Sequence, residues 1–108
     1  MSGVKILYRH VQEIPASKWK EKLELERQTD ALEIELGYPM PRRLRSLFST
    51  EHSHTVRVEE RVFDSYADFG KKLEERHRNK QLMELDAKRR ALIAEGDALR
   101  SARNTLSK

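Results

Sequence analysis

Apolar and polar residues alternate most cleanly between Thr55 and Phe63. Val56, Val58 and Val62 share one parity, and Thr55, Arg57, Glu59 and Arg61 the other. Successive side chains of a strand point to opposite faces, so this stretch predicts a strand with one apolar and one wet face. Asp64 or Ser65 then offers an oxygen to the free amides of a helix start, and Asp68 sets a carboxylate near the positive end of the helix dipole. Tyr66, Phe69, Leu73 and His77 follow at helical spacing on one face. The helix is expected to fold back over the valine side, leaving Arg57, Glu59 and Arg61 on a bare face.

The same rule applies upstream. Val4 to Ile14 predicts a first strand, with Val4, Ile6, Tyr8, His10 and Ile14 toward the helices and Lys5, Leu7, Arg9, Val11 and Glu13 away from them. Pro15 closes the strand and suits an early helix position. Ala16 to Leu36 predicts a long helix with two stripes, one of Ala16, Trp19, Leu23, Ala31 and Ile34, the other of Leu25, Leu32 and Leu36. A monomer needs one stripe, so the second is assigned to the C-terminal segment or to another subunit. Gly37 ends the helix, because glycine takes positive φ without cost.

Tyr38 to Pro41 is a turn, Arg42 to Ser49 a second strand, and Thr50 to His54 a polar hairpin connection. In the second strand Leu44 and Phe48 share one parity, and Arg43, Arg45 and Leu47 the other. After the helix of about Ser65 to His77, residues Arg78 to Lys80 interrupt the pattern and Gln81 to Ala94 resumes it. Met83, Ala87, Ala91 and Ala94 make one stripe there, and Leu82, Leu85, Leu92 and Ile93 a broader one. Gly96 reads as a stop, and Ala98 to Leu106 as a weakly apolar edge strand. The order β-α-β-β-α-β predicts an α+β, ferredoxin-like domain: a four-stranded antiparallel sheet with the helices on one face. Its bare face would hold Leu7, Val11 and Leu47 beside Arg9, Arg57, Glu59 and Arg61, joined by Arg43 and Arg45. Such a face calls for a homodimer through the open sheet face.

Composition narrows this picture. The 108 residues suit one domain spanning 1–108. Without cysteine there is no disulfide, thiolate metal site or cysteine nucleophile. No apolar run approaches the ~20 residues of a membrane helix, and Met1 to Leu7 lacks the features of a signal peptide. A cytoplasmic protein with no membrane contact is expected. The net charge of +4 comes from 22 basic and 18 acidic residues, a mixed surface more than a basic one. An RNA-reading sheet also needs exposed aromatics on its central strands. Arg57, Glu59 and Arg61 occupy that strand, which argues against nucleic acid.

Leu7-Tyr-Arg-His-Val11, Pro15-Ala-Ser-Lys-Trp19, Gly37-Tyr-Pro-Met-Pro-Arg42, the stretch from Val56 to Phe69 and Leu92-Ile-Ala-Glu-Gly96 together resemble the dimeric α/β-barrel superfamily, which holds antibiotic-biosynthesis-monooxygenase-like and NIPSNAP-like domains. The resemblance implies a homodimer. It covers cofactor-free oxygenases, heme-degrading enzymes, small isomerases, decarboxylases and domains of no known activity, so it does not choose among them. Heme-degrading members would make His77 the iron ligand. They also use an asparagine on the first strand and a tryptophan on the second helix, and this chain has neither. No tightly held cofactor is expected.

His10 is the candidate catalytic base, because histidine titrates near neutral pH. Tyr8, Trp19, Phe48, Tyr66, Phe69 and His77 are the candidate lining of a pocket between sheet and helices, suited to a small aromatic ligand. Each also has a plain structural use: the aromatics as core, His10 as a partly buried neighbour, His77 as a cation at a helix end. His52 and His54, two apart in a connection, read as a solvated turn more than a metal site. Two functions follow. One is a small-molecule-binding protein or enzyme of the resembled group; the other is a non-catalytic homo-oligomeric interaction module of the same fold.

Overall fold

The computed structural model describes residues 4–46 and 54–106, with side chains for 4–46 and 55–95. Strand β1 (Ile6–Pro15) leads through one 3-10 turn, Ala16–Lys18, into helix α1 (Trp19–Leu36). Strands β2 (Arg42–Arg45) and β3 (His54–Phe63) and helices α2 (Tyr66–His77) and α3 (Lys80–Leu106) follow. Among the described residues the sheet has three strands in the order β1-β3-β2, antiparallel throughout. Among them, no helix is long and apolar enough to cross a membrane.

Local chemistry sets each helix boundary. Gly37 takes φ 70°. Its amide donates to the Ile34 carbonyl at 3.1 Å and the Tyr38 amide to the Glu33 carbonyl at 3.0 Å, a Schellman close that satisfies the last carbonyls of α1. Ser65 Oγ accepts the Asp68 amide at 3.0 Å and caps α2. The interruption after His77 has a similar cause: Asn79 Oδ1 accepts the Leu82 amide at 3.0 Å, so a second cap starts α3 where α2 ends. Pro39 and Pro41 precede β2, and lacking amide hydrogens they keep that strand short.

The apolar core is small. Ile14 of β1, Leu25 of α1, and Leu85 and Leu92 of α3 are buried together, with Trp19, Leu32 and Ile93 packed on them. The α1 stripe of Leu25 and Leu32 therefore meets the C-terminal helix, while Leu23 and Ile34 of the other stripe are exposed. A second, aromatic group joins Tyr38, Phe63 and Phe69, with ring centroids 5.4 and 4.8 Å apart in edge-to-face contact.

Three expectations are corrected. First, the faces of β3 are reversed: Thr55, Glu59, Arg61 and Phe63 are buried beneath the helices, and the valines lie on the open face. Alternation told which side chains share a face, not which face is covered. The inward stripe of α1 decides it, because it consists of Lys22, Leu25, Glu26 and Glu33, all buried. Charged helix faces charged strand. Second, Arg43 and Arg45 of β2 accordingly turn toward the helices, and Leu44 stands among the valines. Third, Ala98 to Leu106 is helical, and Gly96 lies inside α3 instead of ending it. Ala98, Leu99, Arg100, Ala102 and Arg103 are strong helix formers, against which one interior glycine costs only about 1 kcal/mol. The fourth strand is thus not among the described elements. Leu47, Phe48 and His52 lie outside the described residues, as does the His54 side chain.

The open face is the more apolar one. Leu7 pairs with Val62, Val11 with Val58, and Leu44 with Val58 from the other side. Leu7 is 62% exposed, Val11 55%, Val62 51% and Leu44 42%. Glu60 crosses the middle of this face between Arg9 at 3.5 Å and Arg42 at 4.0 Å.

Candidate functional site

Between helices and sheet lies a layer of paired charges. Arg57 grips Glu26 with two hydrogen bonds, of 2.9 and 2.6 Å. Arg43 donates from Nε to Glu59 at 2.8 Å and from both terminal nitrogens to Asp30, at 2.7 and 2.8 Å. Lys22, almost fully buried, stands 3.5 Å from Glu26. Arg61 donates to the Pro39 carbonyl at 2.6 Å and lies 2.9 Å from Glu33. Arg76 donates Nε to Glu33 at 2.8 Å and holds Asp86 with both terminal nitrogens. Forked guanidinium–carboxylate pairs are the geometry that best repays the desolvation of buried charges. Burial pushes Glu59 toward protonation, but the Arg43 hydrogen bond and the charges of Arg43, Arg61 and Lys22 outweigh it and hold the carboxyl below its ordinary range. Its contribution to stability is present above the unfolded carboxylate pKa and is lost as pH falls through the folded value.

A cavity of about 230 Å³ opens beside this layer, between the sheet, α2 and α3. Tyr8 and His10 of β1, Tyr38, and Phe69, Leu73 and His77 of α2 wall one part of it. Glu33, Glu59, Arg61, Arg76, Asp86, Arg89 and Arg90 wall the rest. The neighbouring crevice around Lys22, Glu26 and Arg43 measures only about 10 Å³, room for roughly one water. Two wider grooves follow α1 and α3, but no histidine or aromatic ring lines them.

Tyr8 lies 6.2 Å from Phe69 in a stacked arrangement and 6.4 Å from the His10 ring. The guanidinium of Arg61 sits 5.0 Å from the Tyr38 ring centre. Burial raises the Tyr38 phenol above its usual pKa, although Arg61 and Arg76 oppose it, so it stays protonated at neutral pH. His10 Nδ1 and Gln12 Nε2 are 3.1 Å apart. The Gln12 side chain is fully buried, and its Oε1 meets no donor among the described residues. Turning the amide over would let Nδ1–H donate to that oxygen and leave Nε2 as the basic atom. Burial above all, then the positive charges of Arg89 and Lys22, depress the His10 pKa below 6.5 against the pull of Glu59. His10 is therefore neutral at pH 7. The unfolded chain takes up its proton first, so this residue costs nothing above pH 6.5 and costs stability as pH falls below it. An NMR titration of the His10 ring should give a midpoint below 6.5, whereas a midpoint at or above that value would mean a hydrated imidazole.

The cavity thus brings together Tyr8, His10, Phe69 and His77 among the residues singled out from sequence. Trp19 lies elsewhere, against the apolar core, with the guanidinium groups of Arg45 and Arg57 at 4.7 and 5.2 Å from its ring centre. Tyr66 is 75% exposed at the start of α2 and only borders Phe69. Phe48 lies outside the described residues. Tyr38 and the charged wall were missed. Their signal was present in the spacing of Lys22, Glu26 and Glu33 along one helix face, which matches the Arg57, Glu59, Arg61 alternation. Among the described residues, no group of three acidic or histidine side chains is placed to hold a metal ion. No protein-family model matches this chain, and no curated protein and no solved structure resembles it significantly.

Proposed function

We propose that this chain binds a small, single-ring aromatic compound in the cavity beside His10, and that it works as a homodimer joined through the open sheet face. The observation that carries the first part is the meeting of Tyr8, Tyr38 and Phe69 with a neutral histidine around one opening. Rings prefer stacked or edge-to-face partners, and here the aromatic groups form one side of a cavity whose other side is charged. Size sets the class. An apolar cavity of ~150 Å³ accommodates benzene, so about 230 Å³ suits one ring with a short substituent. The cavity offers His10 as a neutral hydrogen-bonding group and Tyr38 as a phenol donor.

The dimer is supported by the open face itself. Leu7, Val11, Leu44 and Val62 are all exposed on this one face, and an exposed apolar patch rimmed by polar residues marks an interaction site. Within the strands Arg9 and Arg42 balance Glu13 and Glu60, and only Lys5 before β1 adds a positive charge, so a second copy meets little net repulsion despite the overall +4. The order β1-β3-β2 with helices on one side is also what a ferredoxin-like sheet leaves when its last strand is taken away, which supports the dimeric α/β-barrel reading. Titration with phenol, followed by NMR, should shift the signals of His10, Tyr8 and Phe69. A Leu73→Trp variant, which fills the cavity, should abolish those shifts while keeping the fold. Shifts at Trp19 with none around His10 would refute the binding reading.

A further inference from the structure

The charges lining the cavity do not cancel internally. Glu33 is held by Arg76 and has Arg61 at 2.9 Å, although its Oε1 accepts no hydrogen bond among the described residues; Asp86 is met by the fork of Arg76, and Glu59 by Arg43 from the neighbouring strand. Arg89 is left over. Its side chain is three-quarters buried, its Nε meets no acceptor among the described residues, and its nearest carboxylate, already held by Arg76, stands 3.8 Å away. A buried guanidinium donor without an acceptor is costly, and the Arg89 side chain borders both this cavity and the small crevice around Lys22 and Arg43.

Resting on the binding reading above, we infer that the ligand is an aromatic carboxylate, its acid group received by Arg89 and its ring held among Tyr8, Tyr38 and Phe69. A planar carboxylate matches the guanidinium fork, and the bond is charge-assisted. The volume leaves room for little beyond a ring and a carboxylate. A neutral aromatic of the same shape would fill the walls and leave Arg89 without a closely paired carboxylate. A bare inorganic anion would meet Arg89 and leave the aromatic walls empty.

Calorimetric titration of the wild-type protein with benzoate, benzamide and inorganic phosphate separates the cases. Benzoate should bind on the order of 10-fold more tightly than benzamide, and phosphate more weakly than either. In Arg89→Gln the preference for benzoate over benzamide should vanish. Arg89→Lys, which keeps the charge but loses the fork, should keep part of it. Equal binding of benzoate and benzamide by the wild type would overturn the carboxylate assignment and leave the aromatic cavity standing. Phosphate matching benzoate would overturn it in favour of a bare anion site. No binding of either aromatic would overturn both. The wild-type ratio decides whether or not a variant folds, and circular dichroism identifies a variant that does not.

Discussion

Replacing Arg76 with leucine is expected to cost about 3–5 kcal/mol of stability and to lower the melting temperature by roughly 15 °C or more. Arg76 is buried and serves two acids at once, Glu33 from α1 and Asp86 from α3. Removing it leaves the buried Asp86 with only Arg89, 3.8 Å away, and Glu33 dependent on Arg61 alone. In a domain whose whole stability is about 5–15 kcal/mol, that is a large fraction. Taking Asp86 to leucine as well should recover much of the loss, because two buried charges leave together and Glu33 keeps Arg61. Chemical denaturation of both single variants and the double variant measures this coupling. A loss below about 1 kcal/mol for Arg76→Leu would show that water reaches the charged layer.

The second large effect concerns assembly. Val58 lies at the centre of the open face, opposite Val11 on one side and Leu44 on the other. Val58→Asp should reduce the mass seen by light scattering from twice the chain's 12.7 kDa to once that value. The far-ultraviolet spectrum should not change, because this side of the sheet carries no helix. A buried unpaired carboxylate at a dimer centre costs far more than the same residue in water. A wild-type protein that stays monomeric at high concentration would sink the homodimer and give the face to another partner.

Most of the elements could be read from the chain, for physical reasons that also mark where reading stopped. Ser65, Gly37 and the prolines act locally, so the helix bounds followed from the residues themselves. The end of α3 did not: Gly96 is a weak breaker, and the packing of a preceding helix of good formers carries the backbone past it. Reading β3 required knowing which face was covered. Three valines against Arg57, Glu59 and Arg61 pointed the ordinary way, and only the charged stripe of α1 reversed it. The site shared this fate. Tyr8, His10, Phe69 and His77 lie on faces that periodicity assigns to the helix side. Arg76, Asp86 and Arg89 acquire meaning only when three helices converge, and sequence spacing does not encode that convergence.

The reversed faces of β3 bear on how the chain finds its structure. Shifting a strand by one residue sends every side chain to the opposite face. For β3 such a slip would set Val56, Val58 and Val62 beneath the helices and Arg57, Glu59 and Arg61 in water, at the cost of also exposing the buried ring of Phe63. The native register wins through charge matching, with Arg57 fitted to Glu26 and Arg61 to Glu33 and the Pro39 carbonyl. Early collapse and final pairing therefore pull β3 in different directions. A misregistered β3 is the species to look for in refolding experiments, where it would show as a slow phase.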